Sequence, residues 1–259
     1  MRYKKALSVL VFIISSLLLS ACRASVAQPT QPPTSQAPNA ATTDAVTPTT
    51  ASSVCANPYF PNNTGVTWEY DGNNSIVGAY KRTDTITDSR SDGFTQETTQ
   101  NDATYSVEYA CTDAGLSSMD PIQQYITAII GSTNGTVGVQ LLSNSGITLP
   151  AKFNLGDSWQ QTVDWEATAP NLNTRGRLVF EYQAMGNENI TVPYGTFDAM
   201  RIDTTIKIEV GGIGFPVGTY SISSWLVPGV GLVKSEGTSH LPRVEYTDSM
   251  ELTGFVSPP

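Results

Sequence analysis

His240 is the only histidine in the chain, so any Ser-His-Asp machinery must be built on it. Its neighbour Ser239 is adjacent in sequence, and adjacent side chains of a strand point to opposite faces. No nucleophile elbow supplies a better placed serine. Asp164 and Glu166 flank Trp165 and would share one face of a strand, as a glycosidase-like carboxylate pair requires, although alternation on a solvated face gives the same pattern. Asp88-Ser89-Arg90-Ser91-Asp92-Gly93 spaces its carboxylates like a calcium loop, but Arg90 sets a cation where an oxygen ligand is needed, and the stretch reads as a hairpin turn. Gly211, Gly212 and Gly214 precede no helix that would present its N-terminal dipole to a phosphate. His and Cys form no cluster with ligand spacing. The expectation is a non-enzymatic protein with no catalytic residue, no metal and no cofactor.

The three cysteines carry more information. Arg2, Lys4 and Lys5 precede an apolar stretch from Ala6 to Leu19, and Leu19-Ser20-Ala21-Cys22 closes it. The stretch is too short to span a bilayer core of about 30 Å as a helix, whereas its basic flank and small residues fit an export signal. In this arrangement the sequence resembles bacterial lipoproteins, in which a lipobox cysteine is diacylated and becomes the first residue of the mature chain. The resemblance assigns 1–21 to a signal peptide and Cys22 to lipidation, with cleavage after Ala27 as the alternative. It implies anchorage at the outward face of the cell membrane through the acyl chains, since two chains anchor where one does not. Cys55 and Cys111 then form an even pair in an exported protein, most simply a disulfide; two separate thiols are the alternative.

Removing 1–21 takes away three of the 14 basic residues and none of the 23 acidic ones, moving the net charge from −9 to −12. Such a surface repels phosphate backbones, so nucleic acid is excluded as a partner held by bulk charge. From Cys22 to residue 54 the chain is Pro, Thr, Gln, Ser and Ala with few large apolar side chains, too little to offset its ordering entropy. It reads as a disordered tether with a stretched reach of about 100 Å.

Beyond Cys55, over 55–259, the apolar period is two. Met200, Ile202, Ile206 and Ile208 alternate with Arg201, Asp203, Lys207 and Glu209; Tyr105, Val107, Tyr109 and Cys111 share a face, as do Leu178, Phe180, Tyr182 and Ala184. Some ten to twelve strands follow, with turns at Asp71-Gly72-Asn73-Asn74, Asp92-Gly93, Tyr194-Gly195 and Pro228-Gly229. One segment, Asp120 to Ile130, takes the helical period, and its Ile122, Ile126, Ile129 and Ile130 stripe is expected to pack on the sheet. Phe60, Gly65 and Trp68 echo Phe153, Gly156 and Trp159, a weak sign of internal duplication.

Three stretches, Phe60-Pro61 with Gly65 to Tyr70, Val192 to Ile202 and Trp225 to Glu236, resemble a broad group of uncharacterised bacterial lipoproteins. That resemblance implies an all-β fold, a curved antiparallel sheet distantly similar to the half-barrels of lipoprotein carriers of the LolA and LprG kind; a sandwich is the other form the strands allow. It implies no reaction. A long twisted sheet leaves an apolar inner face, so Trp68, Phe180, Tyr182 and Ile206 are the candidate lining of a pocket for an apolar or lipid-like ligand. The rival is an envelope-structural or protein-interaction domain with a filled core, bound to a cell-envelope protein. A hydrolase of cell-surface glycan is the third reading. The sequence gives no oligomeric state.

Overall fold

The computed structural model describes residues 55–121, 138–169, 172–211, 216–241 and 244–258. Alternation with frequent β-branched residues produces strands almost throughout: β1 (Thr67–Asn74), β2 (Gly78–Ser89), β3 (Gly93–Gln100), β4 (Ala103–Thr112), β5 (Gly115–Ser118), β6 (Gly138–Gly146) and β7 (Leu149–Pro150). They continue with β8 (Ser158–Ala169), β9 (Leu172–Val192), β10 (Gly195–Val210), β11 (Pro216–Val227), β12 (Gly231–Leu241) and β13 (Val244–Val256). All belong to one antiparallel sheet of 13 strands in the order β6-β8-β9-β10-β11-β12-β13-β1-β2-β3-β4-β5-β7. The predicted all-β curved sheet is thus found, a strand or more richer than expected because β5 and β7 are too short to show a period. The predicted helix over 120–130 falls almost wholly outside the described residues.

The order is a meander in which the last strand returns to pair with the first, Thr67 opposite Val256. Its two ends, β6 and β7, are neighbours in the chain. Between them Ile147 N donates to Gln160 O of β8 (3.0 Å) and Thr148 N donates to Leu116 O of β5 (2.9 Å), so one short stretch bonds to the strands next to both edges and the curl closes there. Gln161, fully buried, completes the seam by donating to Ser118 O (2.8 Å) and Asn144 Oδ1 (2.9 Å).

Residues 55–66 lie across one end of the curl. The Cys55–Cys111 disulfide (S–S 2.01 Å, Cα–Cα 5.0 Å) fastens them to β4. Asn57 Nδ2 donates to Pro150 O (3.0 Å), Gly229 N donates to Pro58 O (2.7 Å), and Gly65 N donates to Ile86 O (2.7 Å). Phe60 then packs its ring against Trp68, Phe94 and Tyr109 at centroid distances of 6.0, 5.2 and 5.2 Å.

Two apolar clusters fill the interior. The larger gathers Trp68, Tyr70, Phe94, Leu116, Ile202 and Leu252 beneath this cap. The second, Val163, Trp165, Ala167, Leu178, Phe180, Ile206 and Ile208, fills the other part. There Gly176 is a requirement: a Cβ on it would lie 2.2 Å from Trp165 Cζ2 and 2.4 Å from Glu209 O. Gly72 is a correction of the same kind. Asp71-Gly72-Asn73-Asn74 is not a turn but the end of β1, because Gly72 seats the Tyr80 ring of β2, where a Cβ would meet Cζ at 2.2 Å.

Candidate binding cavity

Period two puts Tyr80, Arg82, Asp84 and Ile86 of β2 on one face, and that face points inward. Arg82 and Asp84 consequently meet inside the sheet. Nε donates to Asp84 Oδ1 (2.8 Å) and Nη2 to Oδ2 (3.0 Å), a two-pronged pair whose side chains keep only 18% and 7% of their exposure. From β3, Thr98 Oγ1 donates to Asp84 Oδ1 (2.8 Å) and Gln96 Nε2 donates to Thr98 Oγ1 (3.2 Å). Burial opposes the Arg82 charge, but the charge and hydrogen bonds of Asp84 outweigh it and hold the guanidinium pKa above its ordinary value. Burial, and then the charge of Asp84, push the Tyr70 phenol well up.

Beside this pair lies a cavity of about 210 Å³. Phe60, Trp68, Tyr70 and Tyr109 give its aromatic wall, Leu149, Tyr182 and Ile202 continue it, and Leu226 and Leu232 close the side formed by β11 and β12. Arg82, Asp84, Gln96, Thr204 and Ser224 are its polar groups. Indole and phenol donors are already engaged, Trp68 Nε1 with Val230 O (2.5 Å) and Tyr70 Oη with Leu232 O (3.1 Å), so the aromatic wall is fixed.

Of the four residues expected to line one pocket, Trp68 and Tyr182 line this cavity. Phe180 and Ile206 are packed in the second cluster at 3% and 0% exposure. Alternation places all four on the inner face but does not say at which level of the curl they lie. Arg82 and Asp84 were not anticipated; the signal was their phase, because they share a face with Ile86. Cys22 lies outside the described residues.

The other candidates are neutralised by partners of their own, Asp164 and Glu166 sharing the outward face of β8 as expected. Asp164 accepts from Arg177 Nε (2.7 Å) and Ser143 Oγ (2.7 Å), and those hydrogen bonds, Arg177 first, hold its carboxyl below the usual range. Glu166 accepts from Arg175 Nε (3.1 Å). His240 is exposed opposite Glu245, with Nδ1 3.2 Å from its carboxylate, while Ser239 is buried on the other face. Arg90 in the β2–β3 turn pairs with Asp88 and with Glu108 (2.7 Å). Among the described residues no three His, Cys, Asp or Glu gather to hold a metal.

The stretches that carried the resemblance meet in space. Trp225 Nε1 donates to Glu188 Oε2 (2.8 Å), Arg201 and Lys234 stand over its ring at 5.7 and 5.4 Å, and Tyr194 N at the tip of the β9–β10 hairpin donates to Leu252 O (3.0 Å). The echo between the two halves is also local: Gly65 (φ 90°) and Gly156 (φ 86°) each precede a strand by a residue or so, and Trp159 Nε1 donates to Thr148 O (3.0 Å) as Trp68 does to Val230.

Two solved structures share the fold. A candidate exported protein with a YmcC-like fold from Bacteroides fragilis matches with a TM-score of 0.51 at 16% identity over 78% of this chain and 100% of its own. A candidate lipoprotein from Parabacteroides distasonis matches with a TM-score of 0.51 at 16% identity over 78% of this chain and 99% of its own. No curated protein matches the sequence. The model of the DUF3108-like family matches residues 92–240, more than half of the chain, from the turn before β3 to the end of β12, and the chain belongs to that family.

Proposed function

We propose that this chain is an exported lipoprotein, held at the outward face of the membrane through acyl chains on Cys22, whose β domain is a non-enzymatic binding module for a small apolar molecule. Both structural relatives bear descriptions of that address, one as an exported protein and one as a lipoprotein. The observation that carries the binding reading is the 210 Å³ cavity with its aromatic wall. An engineered cavity of about 150 Å³ lined by apolar side chains takes up benzene, so this one has room for an organic molecule. It falls short of the roughly 300 Å³ at which drug-sized pockets begin, so the lipid-like ligand expected from the sequence narrows to something smaller than a whole acyl chain.

That same small volume favours the second reading, a protein-interaction domain with an essentially filled core. The two part on one titration. The full chain carrying Cys22→Ser, which removes the lipid, should bind benzene saturably, and Leu226→Trp, which fills the cavity, should abolish binding with the unfolding midpoint kept. Absence of saturable binding in the unfilled protein leaves the interaction domain as the reading. Fractionation of host cells tests the address separately: Cys22→Ser should move the protein from the membrane to the soluble fraction, and continued membrane retention would remove the anchor.

A further inference from the structure

We infer that the cavity selects a neutral ligand, a short apolar body ending in a hydrogen-bond acceptor such as an amide or ester carbonyl, and that the Arg82–Asp84 pair makes the selection. The inference rests on the binding reading above and names its ligand class.

The argument begins with charge. Arg82 and Asp84 neutralise each other inside the sheet, bonded at 2.8 and 3.0 Å. A carboxylate entering beside them would leave one net negative charge in a largely apolar enclosure, and an ammonium would leave one net positive charge. Either is penalised because Arg82 and Asp84 already offset each other, so that a hydrogen bond to the newcomer leaves its charge uncompensated. Only a neutral molecule keeps the enclosure neutral.

Donor polarity gives the rest. Hydrogen bonds run in one direction through the network, from Gln96 to Thr98 to Asp84, and from Arg82 to Asp84. Asp84 is thus supplied with three donors, whereas Arg82 gives only two of its five N–H groups to Asp84 and has no further acceptor bonded among the described residues. The capacity left over on the ion pair is a donor's, so the ligand atom that meets it is an acceptor. Thr204 and Ser224 hydroxyls, which serve in either sense, also line the cavity and can meet a group that both accepts and donates. The aromatic wall of Phe60, Trp68 and Tyr182 receives the body, and a volume of 210 Å³ holds roughly seven water-sized groups.

Calorimetric titration of the full chain carrying Cys22→Ser at neutral pH, with benzene, hexanamide, hexanoate and hexylamine as probes, tests the assignment. Hexanamide should bind about tenfold tighter or more than hexanoate and hexylamine, an effect the size of one hydrogen bond to a charged donor. The double variant Arg82→Leu/Asp84→Val, which removes both charges at nearly the same summed volume, should still bind benzene and lose the preference for hexanamide over benzene. Should it fail to fold, the ranking of the four probes on the unsubstituted pair decides. Hexanoate or hexylamine binding as well as hexanamide overturns the ligand class while leaving the cavity reading in place. Absence of benzene binding overturns the cavity reading itself, and the ligand class with it.

Discussion

The interior of the sheet is built in two ways, and the contrast explains where a cavity is left. In the second cluster the inward residues that β8, β9 and β10 contribute, Val163, Trp165, Ala167, Leu178, Phe180, Ile206 and Ile208, are all apolar, and Trp165 interlocks with Gly176 so closely that a single methyl there would clash. Beneath the cap the inward residues include Arg82, Asp84, Gln96 and Thr98, whose hydrogen-bond geometry fixes where each atom must stand. Apolar side chains slide until contacts are maximal, but a bidentate pair does not, so packing around it is incomplete and a cavity remains. On the binding reading proposed above, the filled part supplies stability and the polar part selectivity.

The largest effect expected from that contrast is Trp165→Ala. It removes the bulkiest fully buried side chain and leaves Gly176 facing a void, at a cost of about 4–5 kcal/mol in urea unfolding. Trp165→Phe should cost markedly less, because the indole Nε1 is buried with no hydrogen-bond partner and its loss relieves that penalty. A Trp165→Ala protein within about 1 kcal/mol of the parent would mean that the second cluster is not the stable half.

Breaking the disulfide acts on the other half. Cys55→Ser with Cys111→Ser opens a link across a sequence separation of 56, worth about 4 kcal/mol on the chain-entropy model. The damage should be regional. Amide exchange should quicken in β1, β4 and the segment 55–66, and hardly change in β8 and β9 around Trp165. Uniform loss of protection would show that cap and filled core unfold as one unit.

How much of this could be read in advance follows from what period two encodes. It names the face and is silent about the level, so it groups Phe180 and Ile206 with Trp68 although they belong to a different cluster, with Tyr182 packed against both. The pairing of Cys55 with Cys111 was legible because exported chains seldom leave two cysteines apart. Gly72 was misread as a turn residue, since a glycine that seats a cross-strand ring and a glycine that bends the chain look alike in sequence. Arg82 and Asp84 were hidden by their type. Charged residues are assigned to the solvated face by habit, and only their phase relative to Ile86 contradicts it.

Titration tests the burial of the tyrosines around this interior. Burial raises the phenol pKa of Tyr70, Tyr105 and Tyr246, and that of Tyr80 too, where Asp248 adds to it. Tyr70 belongs to the larger cluster, whereas Tyr246 packs on Tyr220 at the border of the second. In the unfolded chain these phenols ionise near pH 10, so above that pH the unfolded state binds fewer protons than the native state and stability falls as pH rises. Below pH 10 their contribution is fully present. Phenolate absorbance and loss of native circular dichroism should therefore rise together in alkali. Full ionisation near pH 10 with the native spectrum intact would contradict the buried placement.

The smallest predicted effect isolates the cavity. Leu226 is half-buried on its wall, so part of its surface already faces empty space and forfeits dispersion contacts. Removing its side chain enlarges a void that exists, whereas removing Leu178, fully buried against Phe180 and Trp165, creates one. Leu226→Ala should accordingly cost about 2 kcal/mol, at the low end for leucine, and Leu178→Ala nearer 4. The larger cavity of Leu226→Ala should also accept bulkier probes such as naphthalene that the parent excludes. Equal costs for the two leucines, with no change in the size of probe admitted, would mean that the space beneath the cap is closed in solution, and the contrast between a filled and a receptive half would fall.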